Sequence, residues 1–415
     1  MVDSIPRRDA TTSPAAQPRP RSTRATPSTA TPPSRQGGRP RPEEATPSPT
    51  GGRAPSVKDV ARLAGVSVGT VSNVVNQRGT VRADIRERVA HAISELGYVP
   101  NPTAQALRRG VSPVVGVAVL DLRNPFFMEA AAGMERRLSA DGCVMSLSAT
   151  HSDPETESRL LRTLAGQSPR GILLAPSDAD LVTAHELVAR GIPVVLFDCP
   201  ETPDDMSSIC VDDRAGARLA ISHLLDLGHR RITMLNGPST VRQARHRQSG
   251  VMEAVEAFTT HSQDPIDLRV CEVEDFTAEA GREQTQQMLA DAGVEVHRGT
   301  SGVGKRTGPL APPVLPDSFP TALFCANDLI AFGAMTALRD SGVRIPEDVS
   351  LVGFDDTPVA SQMSVPLTTV NQPMDELGWA AAELLLGGGP NARIRHERFF
   401  PNLVVRASTG APRGK

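Results

Sequence analysis

Residues 56–76 read SVKDVARLAGVSVGTVSNVVN, and this stretch constrains the fold more than any other part of the 415-residue chain. Apolar residues recur at helical spacing on both sides of a glycine, which predicts two short amphipathic helices. Gly65 is suited to the left-handed conformation that ends a helix, and Ser67 stands where an N-cap residue belongs. The predicted apolar faces consist of Val57, Val60, Ala61, Ala64, Val71, Val74 and Val75.

Two short helices joined by such a tight turn predict a helix-turn-helix, in which the second helix enters the major groove of DNA. A small helical hairpin with no DNA-binding role is the alternative, because Ala and Gly are common in such hairpins. A third helix is expected next, since an apolar stripe follows and ends at Gly97. That stripe consists of Val81, Ile85, Val89, Ile93 and Leu96.

The segment after the third helix makes the interpretation more specific. Pro100, Asn101 and Pro102 precede an AQAL sequence that ends in Arg108 and Arg109. Taken with the helix-turn-helix, this region resembles the N-terminus of regulators of the LacI/GalR (lactose-repressor) family. The resemblance continues to about residue 410, and therefore covers nearly all of the chain after its first fifty or so residues.

The resemblance implies that residues 100–112 form a hinge helix and linker that becomes ordered on operator binding. Leu107 matches the leucine that the family inserts into the minor groove, where an apolar wedge unstacks and kinks the duplex. Ala104 and Arg108 belong to the same implied hinge. The alternative is that Leu107 is an ordinary linker residue. A Leu107→Ala variant should lose specific affinity and keep its salt-dependent binding to non-specific DNA.

Within the second helix, the resemblance places Val68, Gly69 and Asn73 at positions that contact bases. Asn73 is suited to adenine, Val68 offers an apolar contact to a thymine methyl group, and Gly69 offers almost nothing. The hydroxyl side chains of the same segment are better suited to phosphates, which fix the register of the protein on DNA without specifying sequence. These hydroxyl residues are Ser67, Thr70 and Ser72.

Charge is distributed unevenly although the net charge is only −3. Residues 1–53 hold nine Arg and four acids, residues 54–110 hold eight basic and four acidic residues, and the remainder holds 27 basic against 39 acidic residues. A basic front and an acidic body are typical of a DNA-binding head on a sensor domain, because phosphate contacts need local positive charge.

Composition also narrows the compartment and the chemistry. The five cysteines are scattered without metal-ligand spacing, which favours reduced, buried thiols and a cytoplasmic protein. The DNA-binding head implies that the protein is associated with the nucleoid. No signal peptide is recognisable, and no apolar run reaches the roughly 18 residues that a membrane span needs. The sequence offers no nucleophile elbow, paired catalytic His or metal motif, so we expect no enzyme activity, no metal and no cofactor.

Length predicts two or three domains. Residues 1–53 are rich in Pro, Ser, Thr and Arg, which predicts a disordered basic tail, although a start codon placed too far upstream would also account for them. A DNA-binding domain over 54–99 and the hinge over 100–112 precede an effector-binding and dimerisation domain over 113–410. A Gly- and Pro-rich flexible insertion is expected at 295–316.

The body alternates apolar runs with helical stretches, which predicts parallel sheets covered by helices on both sides. The expected fold class is therefore an all-α head plus an α/β body. The family resemblance implies two such subdomains, similar to periplasmic sugar-binding proteins, with the chain crossing back near residue 370. The predicted strands are 114–120, 171–176, 193–197, 231–236, 321–325 and 349–354.

Ligands of open parallel sheets lie beyond the carboxyl ends of the strands, and polar residues follow several of these strands. Asp121, Asp198, Asp328 and Asp356 are among them, the last two expected to be structural. The resemblance assigns effector contacts to Arg247, Asn327 and Asp355, and a ring-stacking position to Phe276. Helix capping is the alternative role for the Asn and Asp residues. The expected effector site consists of Asn124, Phe126, Arg247, Phe276, Asn327 and Asp355.

These features together favour a ligand-responsive transcription regulator that represses carbohydrate genes and binds operator DNA as a homodimer, with a small sugar as effector. A purine or other non-sugar effector is the alternative within regulators. A sugar-binding transport component is disfavoured by the DNA-binding head. The sequence leaves open whether the effector releases the protein from its operator or tightens it there.

Overall fold

The chain forms a small helical head and a larger α/β body, and each is described by itself. A division by internal contacts falls between Tyr98 and Val99. The implied hinge residues Ala104, Leu107 and Arg108, the tail 1–53 and most of the expected insertion lie outside the described residues. The computed structural model describes residues 55–75, 81–99, 112–177, 180–200, 203–262, 264–295, 313–388 and 393–414.

The described part of the head consists of the helices α1 (Val57–Ala64), α2 (Val68–Val75) and α3 (Ala83–Leu96). α1 ends at Gly65 with φ 62°, and α3 ends at Gly97 with φ 58°, both in the left-handed region that glycine tolerates. Ser67 caps α2, since its Oγ accepts a hydrogen bond of 3.0 Å from the amide of Thr70. The predicted caps and glycine stops are therefore present.

Small side chains let the three helices pack closely. Val60, Val71 and Val89, one from each helix, are completely buried. Arg88 of α3 donates hydrogen bonds to the carbonyls of Ala64 and Gly65 and so caps the end of α1. α2 is thereby held with its other side directed away from the core.

The first sheet of the body is wholly parallel, with the strand order β11-β5-β4-β3-β1-β2, in which β11 (His396–Phe399) comes from the end of the chain. Its central strands are apolar on both faces because helices cover both sides. The elements of this part, in chain order, are β1 (Val114–Val119), α4 (Pro125–Ala140), β2 (Val144–Ala149), α5 (Pro154–Gly166), β3 (Gly171–Leu174), α6 (Val182–Ala189), β4 (Val194–Phe197) and β5 (Ser207–Val211).

The second sheet has the order β12-β10-β9-β8-β6-β7, and only β12 runs antiparallel to its neighbour. Its elements and those that follow are α7 (Asp213–Asp226), β6 (Arg231–Asn236), α8 (Arg242–His261), β7 (Asp267–Glu272), α9 (Ala278–Asp291), β8 (Ala322–Cys325), α10 (Asp328–Asp340), β9 (Ser350–Asp355), a 3-10 turn (Ala360–Gln362), β10 (Thr368–Asn371), α11 (Met374–Leu386), β11 (His396–Phe399) and β12 (Asn402–Val404).

Within the described residues the chain passes between the two subdomains three times. It leaves the first sheet after β5, returns between β10 and α11, and leaves again between β11 and β12. α11 then packs against α4 of the first subdomain, where the guanidinium of Arg136 lies 5.3 Å from the ring centroid of Trp379. Three crossing segments thus join the two subdomains, and hinge closure around a ligand is a motion known for two-lobed binding proteins.

All six predicted strands are present within a few residues of their expected bounds, and the predicted two-subdomain α/β fold is confirmed. The predicted strands do not include β2, β5, β7, β10, β11 and β12. Four of these, β2, β7, β11 and β12, form the sheet edges and are partly exposed along their length, so they lack the continuous apolar run that marks a buried strand. The other two, β5 (SSICV) and β10 (TTVN), are largely buried inside the sheets, but their Ser, Thr and Asn residues leave only short apolar runs.

Candidate effector cleft and DNA-reading helix

A single cleft between the two subdomains brings together every side chain that the sequence assigned to effector binding. Residues at or after the carboxyl ends of β1, β2, β4, β7, β8 and β9 supply most of its walls, and the first turns of α4 and α8 contribute as well. This is the position at which open parallel sheets bind ligands. The lining residues include Asn124, Phe126, Asp198, Gln243, Arg247, Phe276, Asn327 and Asp355.

Arg247 of α8 is the central cation of the cleft and is only 4 % exposed. Its Nε donates to Asp213 Oδ1 at 2.8 Å, and its Nη1 donates to the carbonyl of Ala326. The guanidinium carbon lies 3.8 Å from the ring centroid of Phe354, and Nη1 lies 3.8 Å from Asp355 Oδ1. These contacts fix the position of the guanidinium group. Its positive charge is largely balanced by acidic side chains of the protein itself.

Asp355 ends β9 in an unusual conformation, with φ 112° and 2 % exposure. The amide Nε2 of Gln372, at the second crossing between the subdomains, donates to Asp355 Oδ1 at 2.7 Å. Burial raises the pKa of this carboxyl to about 8, while the charge of Arg247 opposes the increase. A strained, buried acid at a strand end is a common property of ligand sites.

Asp198 and Gln243 face each other across the cleft. Gln243 Nε2, in the first turn of α8, donates to Asp198 Oδ2 at 2.8 Å and to its main-chain oxygen at 2.7 Å. Burial, with the charge of Asp213 next, raises the pKa of Asp198 well above its ordinary range. Arg242 donates to the carbonyl of Pro176 at 3.0 Å, so the start of α8 is attached to the first subdomain twice.

The two asparagines line the cleft and cap helices at the same time. Asn124 Oδ1 accepts from the amide of Phe126 at 3.0 Å, and Asn327 Oδ1 accepts from the amide of Ile330 at 2.9 Å. The capping role that the sequence offered as the alternative is therefore present in both. Asn327 Nδ2 also donates to the carbonyl of Phe276 at 3.4 Å.

The two candidate aromatic residues differ in their surroundings. Phe126 is 3 % exposed, and its ring centroid lies 5.1 Å from that of Phe127 and 5.9 Å from that of Phe197. Phe276 is less buried and rests on Gly237, where an added Cβ would come within 2.1 Å of the ring. Phe276 is thus the better placed of the two to stack on a ligand, whereas Phe126 mainly fills the core.

Gln243 and Asp275 line the cleft but were not found by sequence reasoning. Two residues behind the cleft were also missed: Asp213 lies two residues after the end of β5 at the first crossing and contacts Arg247, and Gln372 follows the end of β10 at the second crossing and contacts Asp355. Asp328 and Asp356 are structural as expected. Asp328 accepts from Thr369 Oγ1 at 2.6 Å, and Asp356 accepts from Arg406 Nη2 at 2.6 Å.

On the head, α2 presents a polar surface. Gly69 and Asn73 are exposed and lie one turn apart on the same face of the helix. Val68 is half-buried and packs against the head core, so only part of this side chain is left to contact a base. Ser67 is exposed, and its Oγ lies 2.9 Å from Thr70 Oγ1, while Ser72 is half-buried.

Within the described residues, the structure holds neither a membrane-spanning helix nor a metal-ligand cluster. No helix within these ranges is both long and apolar enough to cross a bilayer. Over the same ranges, no three or more His, Cys, Asp or Glu side chains are grouped so that they could hold a metal ion.

Comparison with known protein families agrees with this architecture along the chain. Residues 56–101 match the family described as bacterial regulatory proteins, lacI family. Residues 112–291 match the periplasmic binding proteins and sugar binding domain of the LacI family, and residues 221–409 match a periplasmic binding protein-like domain. Head and body thus match the two parts of one kind of regulator.

Individual relatives match over nearly their whole length. The ribose operon repressor of Escherichia coli is 32% identical over 357 residues, which is 85% of this chain and 99% of the repressor. The structure of the lac repressor dimer bound to operator and the anti-inducer ONPF superposes with a TM-score of 0.70 at 32% identity, covering 86% of this chain and 100% of that one. A LacI family regulator from Enterococcus faecium with bound ribose gives a TM-score of 0.59 at 27% identity, over 72% of this chain and 99% of its own.

The fold, the exposed second helix of the head and the cleft of the body together define a DNA-binding transcription regulator with a ligand-binding body. The chain belongs to the LacI family of bacterial transcriptional regulators.

Proposed function

We propose that this protein represses carbohydrate genes and that a small sugar in the cleft of its body controls its affinity for operator DNA. The observation that carries the proposal is the convergence of Arg247, Asn327, Asp355 and Phe276 on one cleft between the subdomains. Carboxylate and amide groups pair with adjacent hydroxyls, and an aromatic ring covers the apolar face of a sugar. Ribose appears in the names of two similar proteins, a repressor and a bound structure.

The mechanism is linkage between ligand binding and subdomain arrangement. A ligand shifts that arrangement only by the difference in its affinity for the two states. α8 carries Arg247 at the cleft and Gln243 on the contact with the first subdomain, so a bound ligand acts on the subdomain contact through one helix. The hinge segment around Leu107 would pass this change to the head.

On DNA, two copies of the head would read the halves of a twofold-symmetric operator, because one helix-turn-helix covers only a half-site. Asn73 would hydrogen-bond a base edge, Ser67 and Thr70 would contact phosphates, and Leu107 would wedge a deformable centre. The protein acts in the cytoplasm by binding and not by catalysis.

The test uses the full-length chain. Genomic fragments are selected on the purified protein at moderate ionic strength, and a thermal-shift screen covers sugars and nucleobases. Any compound that raises the Tm is then added to a gel-shift assay on the selected fragment. We expect a palindromic fragment to be preferred over random duplex, and a sugar to change that affinity. If the protein prefers no fragment, with or without metabolites, the proposal is contradicted. If nucleobases alone change the affinity for the selected fragment, the effector is a purine and not a sugar.

A further inference from the structure

The cleft is lined by several carboxyl groups and few cationic groups. Of the described residues that line it, four are carboxylates and Arg247 is the only one with a cationic side chain. A fifth carboxylate, Asp213, is 3 % exposed and lies behind the cleft on the same guanidinium. The four lining carboxylates are Asp121, Asp198, Asp275 and Asp355.

Guanidinium groups are donors that hold anions in other proteins. Those at this cleft are already hydrogen-bonded to other groups of the protein. Arg247 is paired with Asp213 and the carbonyl of Ala326, as described above. Two guanidinium groups near the cleft are also engaged. Arg123 binds both carboxylate oxygens of Asp121 at 2.9–3.1 Å and lies 3.7 Å from Asp275 across the cleft, and Arg242 donates to Pro176.

Helix N-termini are the second kind of anion site, and side-chain oxygens cap three of those around this cleft. Asn124 caps α4, Asn327 caps α10, and Thr277 Oγ1 accepts from the amide of Ala280 at 3.3 Å at the start of α9. α8 begins without a side-chain cap, but Gln243 in its first turn already holds the carboxyl of Asp198 there.

We infer that the cleft selects an uncharged polyol and rejects its phosphorylated or carboxylated counterpart. The inference rests on the proposed function, in which this cleft is the effector site. An anionic group would be taken out of water and placed against carboxyl oxygens, with the nearby guanidinium groups already paired. Hydroxyl groups, in contrast, donate hydrogen bonds to the same carboxyl oxygens and keep them satisfied.

The test compares matched pairs by calorimetry and thermal shift on the full-length protein. The probes are ribose with ribose 5-phosphate, glucose with glucose 6-phosphate, and fructose with fructose 6-phosphate. We expect the uncharged member of the responding pair to bind at least tenfold more tightly than its phosphate. Equal or tighter binding of a phosphorylated member overturns the inference.

A panel in which no uncharged polyol raises the Tm also overturns the inference. If specific operator binding persists in the gel-shift assay in that case, the regulator function survives and only the ligand class is wrong. Loss of specific DNA binding under every condition would instead mean that the proposed function itself has failed.

A variant then tests whether cleft charge is the cause. Asp275→Asn removes one negative charge at the rim and keeps the oxygen that accepts from the amide of Phe276 at 2.8 Å. We expect the preference for the uncharged sugar over its phosphate to narrow at least threefold. Asp264→Asn is the matched control, because Asp264 is an exposed acid outside the cleft that pairs with Arg230 at 3.1 Å. Equal preference ratios in Asp275→Asn and the unmodified protein would show that cleft charge does not set the selectivity.

Discussion

Gln243 Nε2 lies 2.8 Å from Asp198 Oδ2, and this hydrogen bond joins α8 of the second subdomain to the end of β4 in the first. Both residues also line the effector cleft. The same pair therefore belongs to the proposed ligand site and to the contact between subdomains. A ligand that displaces or strengthens this contact changes the relative stability of the two arrangements, which is what an allosteric effector requires.

Replacing Gln243 by Ala should destabilise the body and weaken its response to effector. The variant leaves two buried oxygens of Asp198 without their donor, and such a loss costs about 1–3 kcal/mol in the free energy of unfolding. Urea unfolding of both proteins measures this cost. The matched control is Gln287→Ala, an exposed glutamine of α9 that pairs only with Asp291 at 2.7 Å. If Gln243→Ala lowers the free energy of unfolding by no more than the control does, the hydrogen bonds between Gln243 and Asp198 do not stabilise the body.

Gly237→Ala should weaken effector binding while leaving the fold intact. The added methyl group would lie 2.1 Å from the ring of Phe276, so the ring has to move. We expect the midpoint of effector binding by calorimetry to rise at least tenfold, with unchanged far-UV circular dichroism. Gly166→Ala is the control, since an added Cβ there meets nothing within 4 Å. An unaltered binding midpoint in Gly237→Ala would show that Phe276 does not contact the effector.

Sequence reasoning found the cleft residues to which a general rule applies. It missed the residues whose position depends only on tertiary contacts. Asn327 follows β8 and Asp355 ends β9, and the rule that ligands lie at strand ends predicted the position at the cleft that both residues have in the structure. Asp213 and Gln372 reach the site because the chain crosses between subdomains beside them, and no local pattern marks such a crossing. Sequence reasoning also missed Gly237, because its role depends on the ring of Phe276, 39 positions later in the chain.

The edge strands show the same limit for the fold. β7 carries Asp267, Arg269 and Glu272 and is exposed at four of its six positions, so its sequence resembles a loop. It becomes a strand because it pairs with β6 along its whole length, from Arg231 opposite Asp267 onwards. Pairing with a neighbour distant in sequence overrides weak local propensity.

Stability should fall as pH rises from about 4 to about 8, and Asp355 should account for part of the fall. The pKa of Asp355 is raised from its ordinary 3.8 to about 8, so across this window the unfolded chain has lost a proton that the folded protein keeps. Its contribution is fully present below pH 4 and is lost as pH rises through 8. Urea unfolding at several pH values measures the slope.

Variants separate the acids that contribute to that slope. Asp355→Asn removes the titrating carboxyl. Between pH 5 and pH 8, the free energy of unfolding of this variant should therefore rise relative to that of the unmodified protein. Asp328→Asn provides the comparison, because the pKa of Asp328 is raised only to about 6 and its effect should end at a lower pH. Parallel stability curves for Asp355→Asn and the unmodified protein would contradict the raised pKa.

Asn73→Ala should reduce specificity for operator DNA more than affinity for DNA in general. Asn73 is exposed on α2 beside Gly69, and a side-chain amide that reads a base edge contributes about 1–3 kcal/mol of discrimination. The ratio of specific to non-specific affinity should therefore fall by roughly 5- to 150-fold in gel shifts, with the salt dependence of non-specific binding unchanged because no phosphate contact is lost. Ser94→Ala on α3 is the control, an exposed polar residue of the same head outside the reading helix. If Asn73→Ala instead lowers specific and non-specific affinity equally, Asn73 contacts the phosphate backbone and the base-reading assignment is wrong.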